Sequence, residues 1–195
     1  KRTGFMNGLQ DIELVRGMPS GVGHAFARAQ VVHSQTQVAA AVDRLAVEIT
    51  VALQDKNPII LSVMQGGLYL TGQLLQRMVF PLQQGYVDVS RHRDADQSGE
   101  LIWQGAQHPP LQSRVVLLVD DFVGEGTTLT YLKKWLLEAG ARKVLVAVLA
   151  DKNCAIREFP IDYAGLSCPE GGLFGCGMDI HGYGRNLPSI YALPE

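Results

Sequence analysis

The sequence predicts an α/β fold with a doubly wound, mostly parallel sheet in a single domain that spans residues 1–195. Three apolar runs carry this prediction: residues 58–64, 115–119 and 143–150 have the length and the β-branched content of buried parallel strands. A stretch with helical spacing follows the first two runs. Alternating strands and helices favour a parallel sheet whose ligands bind beyond the carboxyl ends of the strands.

The first helix is predicted over residues 35–54. Ser34 is a typical N-cap, and Gln37 stands where the partner of a capping box is expected. Apolar residues then recur at helical spacing, namely Val38, Val42, Leu45, Ala46, Ile49 and Leu53. This pattern indicates an amphipathic helix packed on the sheet.

The segments between the first two predicted strands follow the same logic. The turn Gln65-Gly66-Gly67 ends the strand 58–64, and a helical pattern resumes over residues 68–78. An extended stretch near 84–90 leads into the polar segment 91–100, for which we expect a mobile loop.

In the second half of the chain, a helix is predicted over residues 127–139, closed by Ala139-Gly140 and followed by the strand 143–150. From Pro160 onward the sequence is rich in glycine and lacks the periodicity of a core helix. Short strands and turns are therefore expected in this tail.

Composition and charge bear on several classes of function. The net charge is −2 and charged residues make up 18% of the chain, so a basic surface for nucleic acid is not expected. No apolar run reaches the roughly 18 residues of a membrane span, and the amino terminus lacks a signal-peptide layout. The expected location is cytoplasmic. Cys154, Cys168 and Cys176 are predicted to be reduced, inert thiols, because they are odd in number and widely spaced.

Residues 115–129, VVLLVDDFVGEGTTL, combine features that suit a sugar phosphate. The adjacent carboxylates Asp120 and Asp121 can accept hydrogen bonds from vicinal hydroxyls. Backbone N–H groups of residues 124–126 can converge on an anion at a helix N-terminus, where Thr127 and Thr128 add hydroxyl donors. The pair alone is more typical of a strand end before a capped helix than of a ligand site, whereas the strand, the pair, the turn and the threonines together favour the ligand site. The order of residues fits neither a Walker loop nor the glycine-rich dinucleotide fingerprint.

Three further strand ends are expected at the same edge of the sheet. They carry the residues 64–67, Ser90-Arg91-His92 and Asp151-Lys152. Glycine permits close approach of the backbone, so Gln65-Gly66-Gly67 can present N–H groups to a diphosphate.

Two motifs carry a resemblance to a known family, which extends over about residues 34–192. The segment 115–129 resembles the phosphoribosyl-diphosphate (PRPP) loop of type I phosphoribosyltransferases. Residues 168–191, CPEGGLFGCGMDIHGYGRNLPSIY, resemble the purine- and metal-binding tail of bacterial hypoxanthine-guanine phosphoribosyltransferases. The resemblance implies a type I phosphoribosyltransferase fold with a small hood formed by terminal segments, to which residues 1–33 contribute. It also implies a homodimer or a higher homo-oligomer.

The activity implied by the resemblance is purine salvage: transfer of ribose 5-phosphate from PRPP to a 6-oxopurine, hypoxanthine or guanine, with Mg²⁺ and release of pyrophosphate. The implied roles can be assigned residue by residue. Asp120 and Asp121 hold the ribose hydroxyls and, with Asp179, the metal; Gly124, Glu125, Gly126, Thr127 and Thr128 bind the 5-phosphate; Gln65, Gly66 and Arg185 bind pyrophosphate; Lys152 reads the exocyclic oxygen of the base; and Ser90, Arg91 and His92 belong to a closing loop. In this family the peptide before the residue at position 65 can be cis.

The sequence departs from the family at two positions. Gly124 stands where a third acid takes the proton from purine N7, and Glu125 is the adjacent acid that could substitute as a catalytic group. Gly172 stands where an aromatic residue stacks on the base, so Leu173 and Phe174 are expected to cover it. Two hypotheses follow: an active purine phosphoribosyltransferase, or a PRPP- or nucleotide-binding sensor that has lost catalysis.

Overall fold

The structure is a computed structural model that describes residues 17–91, 101–153 and 159–193. Its elements in chain order are α1 Ser20–Arg28, β1 Gln30–His33, α2 Gln35–Leu53, β2 Ile59–Met64, α3 Gly67–Leu75, β3 Gln83–Arg91, β4 Leu101–Gln107, β5 Val115–Val123, α4 Thr127–Glu138, β6 Lys143–Asp151, β7 Tyr163–Ser167, β8 Leu173–Phe174 and β9 Ile190–Ala192. Within this described part of the chain, no helix is long and apolar enough to cross a membrane.

The main sheet has six strands in the order β4-β3-β2-β5-β6-β7, and all neighbouring pairs are parallel except β3 with β4. Helices α2 and α3 cover one face of the sheet and share one apolar cluster with it, and α4 covers the other face over a second cluster. This arrangement confirms the doubly wound, mostly parallel sheet. The capping box of α2 is also confirmed, because Ser34 Oγ accepts from Gln37 N–H while Gln37 Oε1 accepts from Ser34 N–H.

The order of the strands reverses between β2 and β5. From β2 the chain moves outward to β3 and β4, and it then returns to the other side of β2 to add β5, β6 and β7. Loops after two such strands diverge above the sheet and leave a crevice, which is the usual place for a ligand in this architecture. The turn at Gln65-Gly66 follows β2, and the loop at 124–126 follows β5, so both flank this crevice.

A second, antiparallel sheet of order β1-β9-β8 joins the two ends of the described chain. Helix α1 packs on it through Phe26, whose ring lies 4.6 Å from that of Phe174. Residues 17–33 and the tail thus form the small hood expected of terminal segments, while residues 1–16 lie outside the described range.

Two boundaries differ from the prediction. Ser90 and Arg91 were expected in a loop, but they belong to β3 because β4, which the sequence analysis missed, pairs with them through Ile102 and Leu101. His92 and the rest of the polar segment to residue 100 lie outside the described residues. Strand β5 also continues past the acidic pair to Val123, because its residues keep pairing with β6.

Candidate active site

A cavity of about 710 Å³ lies at the carboxyl edge of the sheet, over the crevice between β2 and β5. Most residues singled out in the sequence line it: Gln65, Gly66, Asp120, Asp121, Gly124, Glu125, Gly126, Thr127, Thr128, Lys152, Leu173, Asp179 and Arg185. Three of the four predicted strand ends and the tail motif therefore meet at one place.

The acidic pair is held inside the end of β5. Asp121 is buried and Asp120 is half-buried. The N–H of Asp121 donates to Asp120 Oδ1 at 2.9 Å, and the N–H of Phe122 donates to Asp121 Oδ1 at 2.8 Å. Burial, together with the negative charge of Asp121, raises the pKa of Asp120 well above its ordinary value, and burial also raises the pKa of Asp121. Two acids in this setting are stabilised by an added cation or by hydroxyl donors.

The turn after β2 approaches this pair closely, and its peptide Met64–Gln65 is cis. A β-carbon added at Gly66 would overlap the carboxylate of Asp121, and one added at Gly67 would overlap the carbonyl oxygen of Val119. Only glycine at both positions allows the turn and the N-terminus of α3 to lie against β5. The backbone at Gln65-Gly66 is thereby placed beside the acidic pair.

The loop after β5 ends at the N-terminus of α4. Gly126, the N-cap, adopts a left-handed conformation with φ of 80°, and no side chain caps this end of the helix. The first N–H groups of a helix have no partner within the helix, and together with the helix dipole they attract an anion. The hydroxyls of Thr127 and Thr128 line the same part of the cavity.

The tail contributes an ion pair. Arg185 Nη2 lies 2.5 Å from Asp179 Oδ1, and Arg185 Nη1 donates to the carbonyl oxygen of Gly177 at 2.6 Å. The second oxygen of Asp179 accepts from Gly182 N–H at 2.7 Å. A β-carbon at Gly177 would lie 3.2 Å from the Asp121 β-carbon, so this tail turn packs directly on the acidic pair and carries the arginine to it.

The structure does not gather the three acids predicted to hold the metal. Across the described ranges, no group of three His, Cys, Asp or Glu side chains is arranged to hold an ion. Asp179 is instead occupied by Arg185 and Gly182, whereas Asp120 and Asp121 face each other. Mg²⁺ keeps several waters and takes only one or two protein carboxylates, so the buried pair fits this ion without Asp179.

Lys152 lies on the other side of the cavity. Its Nζ donates to the carbonyl oxygen of Gly171 at 2.9 Å and lies 5.1 Å from the centre of the Phe122 ring. Because an ammonium carries three donors, the bond to Gly171 leaves others for a ligand. Sequence reasoning missed Phe122, since its place directly after the acidic pair reads as part of the strand.

Of the two apolar residues expected to cover a base, only Leu173 lines the cavity. Phe174 is completely buried between Phe26 and Tyr191, whose ring stacks on it at 5.3 Å, so the expectation that it covers a ligand is wrong. Successive side chains of a strand point to opposite faces, so in β8 Leu173 faces the cavity and Phe174 packs in the core of the hood.

The described cysteines are structural. Cys168 and Cys176 are free and buried, and burial raises the pKa of each thiol to about 11. A thiolate nucleophile is therefore disfavoured at neutral pH. Cys154 lies outside the described residues.

Comparisons with known proteins agree with this geometry. Residues 29–181 match the phosphoribosyl transferase domain. A hypoxanthine-guanine-xanthine phosphoribosyltransferase from Tritrichomonas foetus is 29% identical over 168 residues, which are 85% of this chain and 92% of that protein. A hypoxanthine-guanine phosphoribosyltransferase from Lactococcus lactis is 30% identical over 149 residues, 75% of this chain and 81% of its own.

The fold is also shared with solved structures. A hypoxanthine phosphoribosyltransferase from Staphylococcus aureus superposes with a TM-score of 0.79 at 22% identity, and the match covers 91% of this chain and 96% of that one. The chain belongs to the phosphoribosyltransferase family, and its relatives are hypoxanthine-guanine members of that family.

Proposed function

We propose that this protein transfers ribose 5-phosphate from PRPP to a 6-oxopurine, hypoxanthine or guanine, and releases pyrophosphate. The observation that carries the proposal is the meeting, in one cavity, of an uncapped helix N-terminus, a buried acidic pair and an arginine beside a glycine turn. These are three sites for the three charged or hydroxylated parts of PRPP. Relatives that bear the names of hypoxanthine-guanine phosphoribosyltransferases support the choice of substrate class.

The 5-phosphate is assigned to the N-terminus of α4. Backbone N–H groups from Gly124 to Thr128 and the two threonine hydroxyls supply donors, and the helix dipole adds positive potential. Because these donors belong to a rigid helix end, the phosphate fixes the position of the sugar relative to the base site.

The ribose hydroxyls and Mg²⁺ are assigned to Asp120 and Asp121. Their raised pKa values have the same physical cause, the burial of negative charge, and a bound cation would relieve it. When bound, the metal supplies positive charge to the diphosphate oxygens of PRPP.

The pyrophosphate is assigned to the backbone at Gln65-Gly66 and to Arg185. Arg185 lies next to Asp121 with Nη1 bonded to Gly177 and Nη2 paired with Asp179, and its guanidinium can leave Asp179 to meet a diphosphate with two hydrogen bonds. Negative charge develops on the leaving diphosphate in the transition state, so donors placed there lower the barrier as well as bind the substrate.

The base is assigned to the side of the cavity around Lys152 and Leu173. A lysine donor matches an exocyclic oxygen and disfavours an amino group at that position, because an unpaired buried donor costs about 1–3 kcal/mol. Gly171 keeps Lys152 oriented through its carbonyl oxygen. Glu125, whose side chain is exposed on the loop between β5 and α4, is assigned to accept the proton from the base.

The test is direct. The protein is incubated with PRPP, Mg²⁺ and hypoxanthine, guanine or xanthine, and nucleotide and pyrophosphate are measured together. We expect equal amounts of both products with hypoxanthine or guanine and a requirement for Mg²⁺. Tight binding of PRPP or nucleotide without turnover of any base would favour a sensor, for which Gly124 is the supporting feature.

The proposal extends to assembly and location. We propose a homodimer or a higher homo-oligomer, since most oligomers of soluble proteins are closed homo-oligomers and dimers are the commonest of them. A cytoplasmic location is supported by the free thiols of Cys168 and Cys176, which are typical of a reducing compartment. Size-exclusion chromatography with light scattering checks the first of these statements.

A further inference from the structure

A purine in this cavity needs a flat apolar surface, and the tail does not provide one. Gly172 has no side chain, and a β-carbon built there would meet a single atom, Leu193 Cδ1, at 3.8 Å. Phe174 is buried in the hood and does not line the cavity. The face of the base site on the side of Gly172 is therefore open.

An aromatic side chain lies in the cavity from a different element. Among the described residues that line the cavity, Phe122 is the only aromatic one, and 40% of its surface is exposed. Its backbone is fixed twice, by the bond from its N–H to Asp121 Oδ1 and by the pairing of β5 with Ala150 of β6. The ring is thus presented to the cavity from a rigid strand.

The position of Lys152 makes this ring suitable for a base. Nζ of Lys152 lies over the face of the ring, 5.1 Å from the ring centre. A planar base stacked on the ring would lie roughly 3.5–4.0 Å above it, the optimal separation of carbon atoms. A base stacked off-centre, on the side of the ring away from Nζ, has the ammonium near its plane and at its edge, where the ammonium can donate to an exocyclic oxygen. The stacking surface and the donor consequently address one ligand.

We infer that Phe122 is the stacking platform for the purine and takes over the role that an aromatic side chain at position 172 would otherwise have. The inference rests on the proposed function for the identity of the ligand. In this arrangement the base is stacked on one face by Phe122 and is open on the other toward Gly172, so the ring supplies most of the affinity that the base adds to ribose 5-phosphate.

The test compares two ligands that differ only by the base. Dissociation constants for inosine or guanosine monophosphate and for ribose 5-phosphate are measured by calorimetry with the wild-type protein, Phe122→Ala and Phe122→Leu. Phe122→Ala should weaken nucleotide binding about 5- to 150-fold, the range that stacking of a base on an aromatic residue covers, and should leave ribose 5-phosphate unchanged. Phe122→Leu should give a smaller loss, because it keeps apolar area without the ring.

Tyr131→Ala is the matched control, since Tyr131 is 42% exposed but does not line the cavity, and it should change neither constant. A second variant tests the open face: Gly172→Trp in the Phe122→Ala background should recover most of the nucleotide affinity that Phe122→Ala loses. Such recovery also excludes a mere displacement of Lys152 as the cause of the loss.

Equal nucleotide affinity in the wild type and Phe122→Ala, or equal losses for both ligands, would overturn the inference. So would a wild-type protein that binds the nucleotide no more tightly than ribose 5-phosphate. Absence of turnover would overturn the proposed transferase activity alone, because the ligand comparison does not depend on catalysis.

Discussion

The catalytic weakness predicted at Gly124 can be tested by restoring an acid there. Gly124 lines the cavity in the loop that follows β5, and a β-carbon added to it would have no neighbouring atom within 4 Å. Its φ also lies outside the left-handed region, so a residue with a side chain is not strained. Gly124→Asp should therefore fold normally, with a change in unfolding free energy of about 0.5 kcal/mol or less.

The size of the kinetic effect follows from general acid–base catalysis. A well-placed proton acceptor typically contributes 10²–10⁴-fold, or about 2.7–5.4 kcal/mol of the barrier. Glu125 already offers a carboxylate on the same loop, and an introduced acid lacks supporting contacts that fix its geometry. We therefore expect the chemical step to accelerate by about 10- to 100-fold, which corresponds to about 1.4–2.7 kcal/mol.

The assay is a rapid-quench single turnover with enzyme in excess over the base and with saturating PRPP and Mg²⁺. Gly124→Asn is the matched control, because asparagine has the shape of aspartate but cannot accept the proton. Only the Asp variant should be faster, and its advantage should disappear as the pH falls through the pKa of the new carboxyl group. If folded Gly124→Asp and Gly124→Asn have the wild-type rate, Gly124 is not a lost catalytic position.

Three further changes test the geometry of the site. Gly66→Ala should lower the unfolding free energy by about 1–3 kcal/mol and weaken pyrophosphate binding, because the new methyl group overlaps the Asp121 carboxylate. The control Gly72→Ala, on open helix surface, should raise the unfolding free energy by about 0.5–1 kcal/mol. Thermal unfolding compares the two variants, and equal effects would contradict the packing described. Asp121→Asn should abolish PRPP binding yet stabilise the unliganded protein at pH 8, because a carboxyl group with a raised pKa destabilises the fold when it is ionised. In denaturant titrations, the gain in unfolding free energy over the wild type should shrink toward pH 4. A gain that stays constant with pH would disprove burial as the cause of the raised pKa. Arg185→Lys should weaken pyrophosphate binding about tenfold in calorimetry, since lysine lacks the planar guanidinium that can bond both the carbonyl oxygen of Gly177 and a diphosphate. Unchanged affinity would show that Arg185 does not bind pyrophosphate.

The sequence was sufficient to predict the parts of the fold that depend on local patterns. The capping box at Ser34 and Gln37 and the continuous apolar runs of β2, β5 and β6 have strong local signals, and the structure confirms them. Strand β4 was missed because it carries polar residues and is recognisable only by its antiparallel pairing with β3. Edge strands of this kind are set by a partner rather than by their own composition.

The same division holds for the site. The sequence was sufficient to predict the acidic pair, the glycine turn and the tail arginine as site residues, because each belongs to a motif with a recognisable spacing. The structure brings them together in one cavity. The sequence could not predict that the Phe174 side chain points into the hood, since this depends on how the hood packs around Phe26. The exposure of Phe122 depends on the extension of β5 beside β6, which is a tertiary effect.

Steady-state turnover of PRPP with Mg²⁺ and each of hypoxanthine, guanine and xanthine is the measurement that bears most directly on the central claim. Nucleotide and pyrophosphate should appear in equal amounts with hypoxanthine or guanine, and Asp120→Asn should abolish both products. If no base yields nucleotide while PRPP binds to the cavity, the protein is a sensor built on this fold and the assignment of transferase activity is wrong.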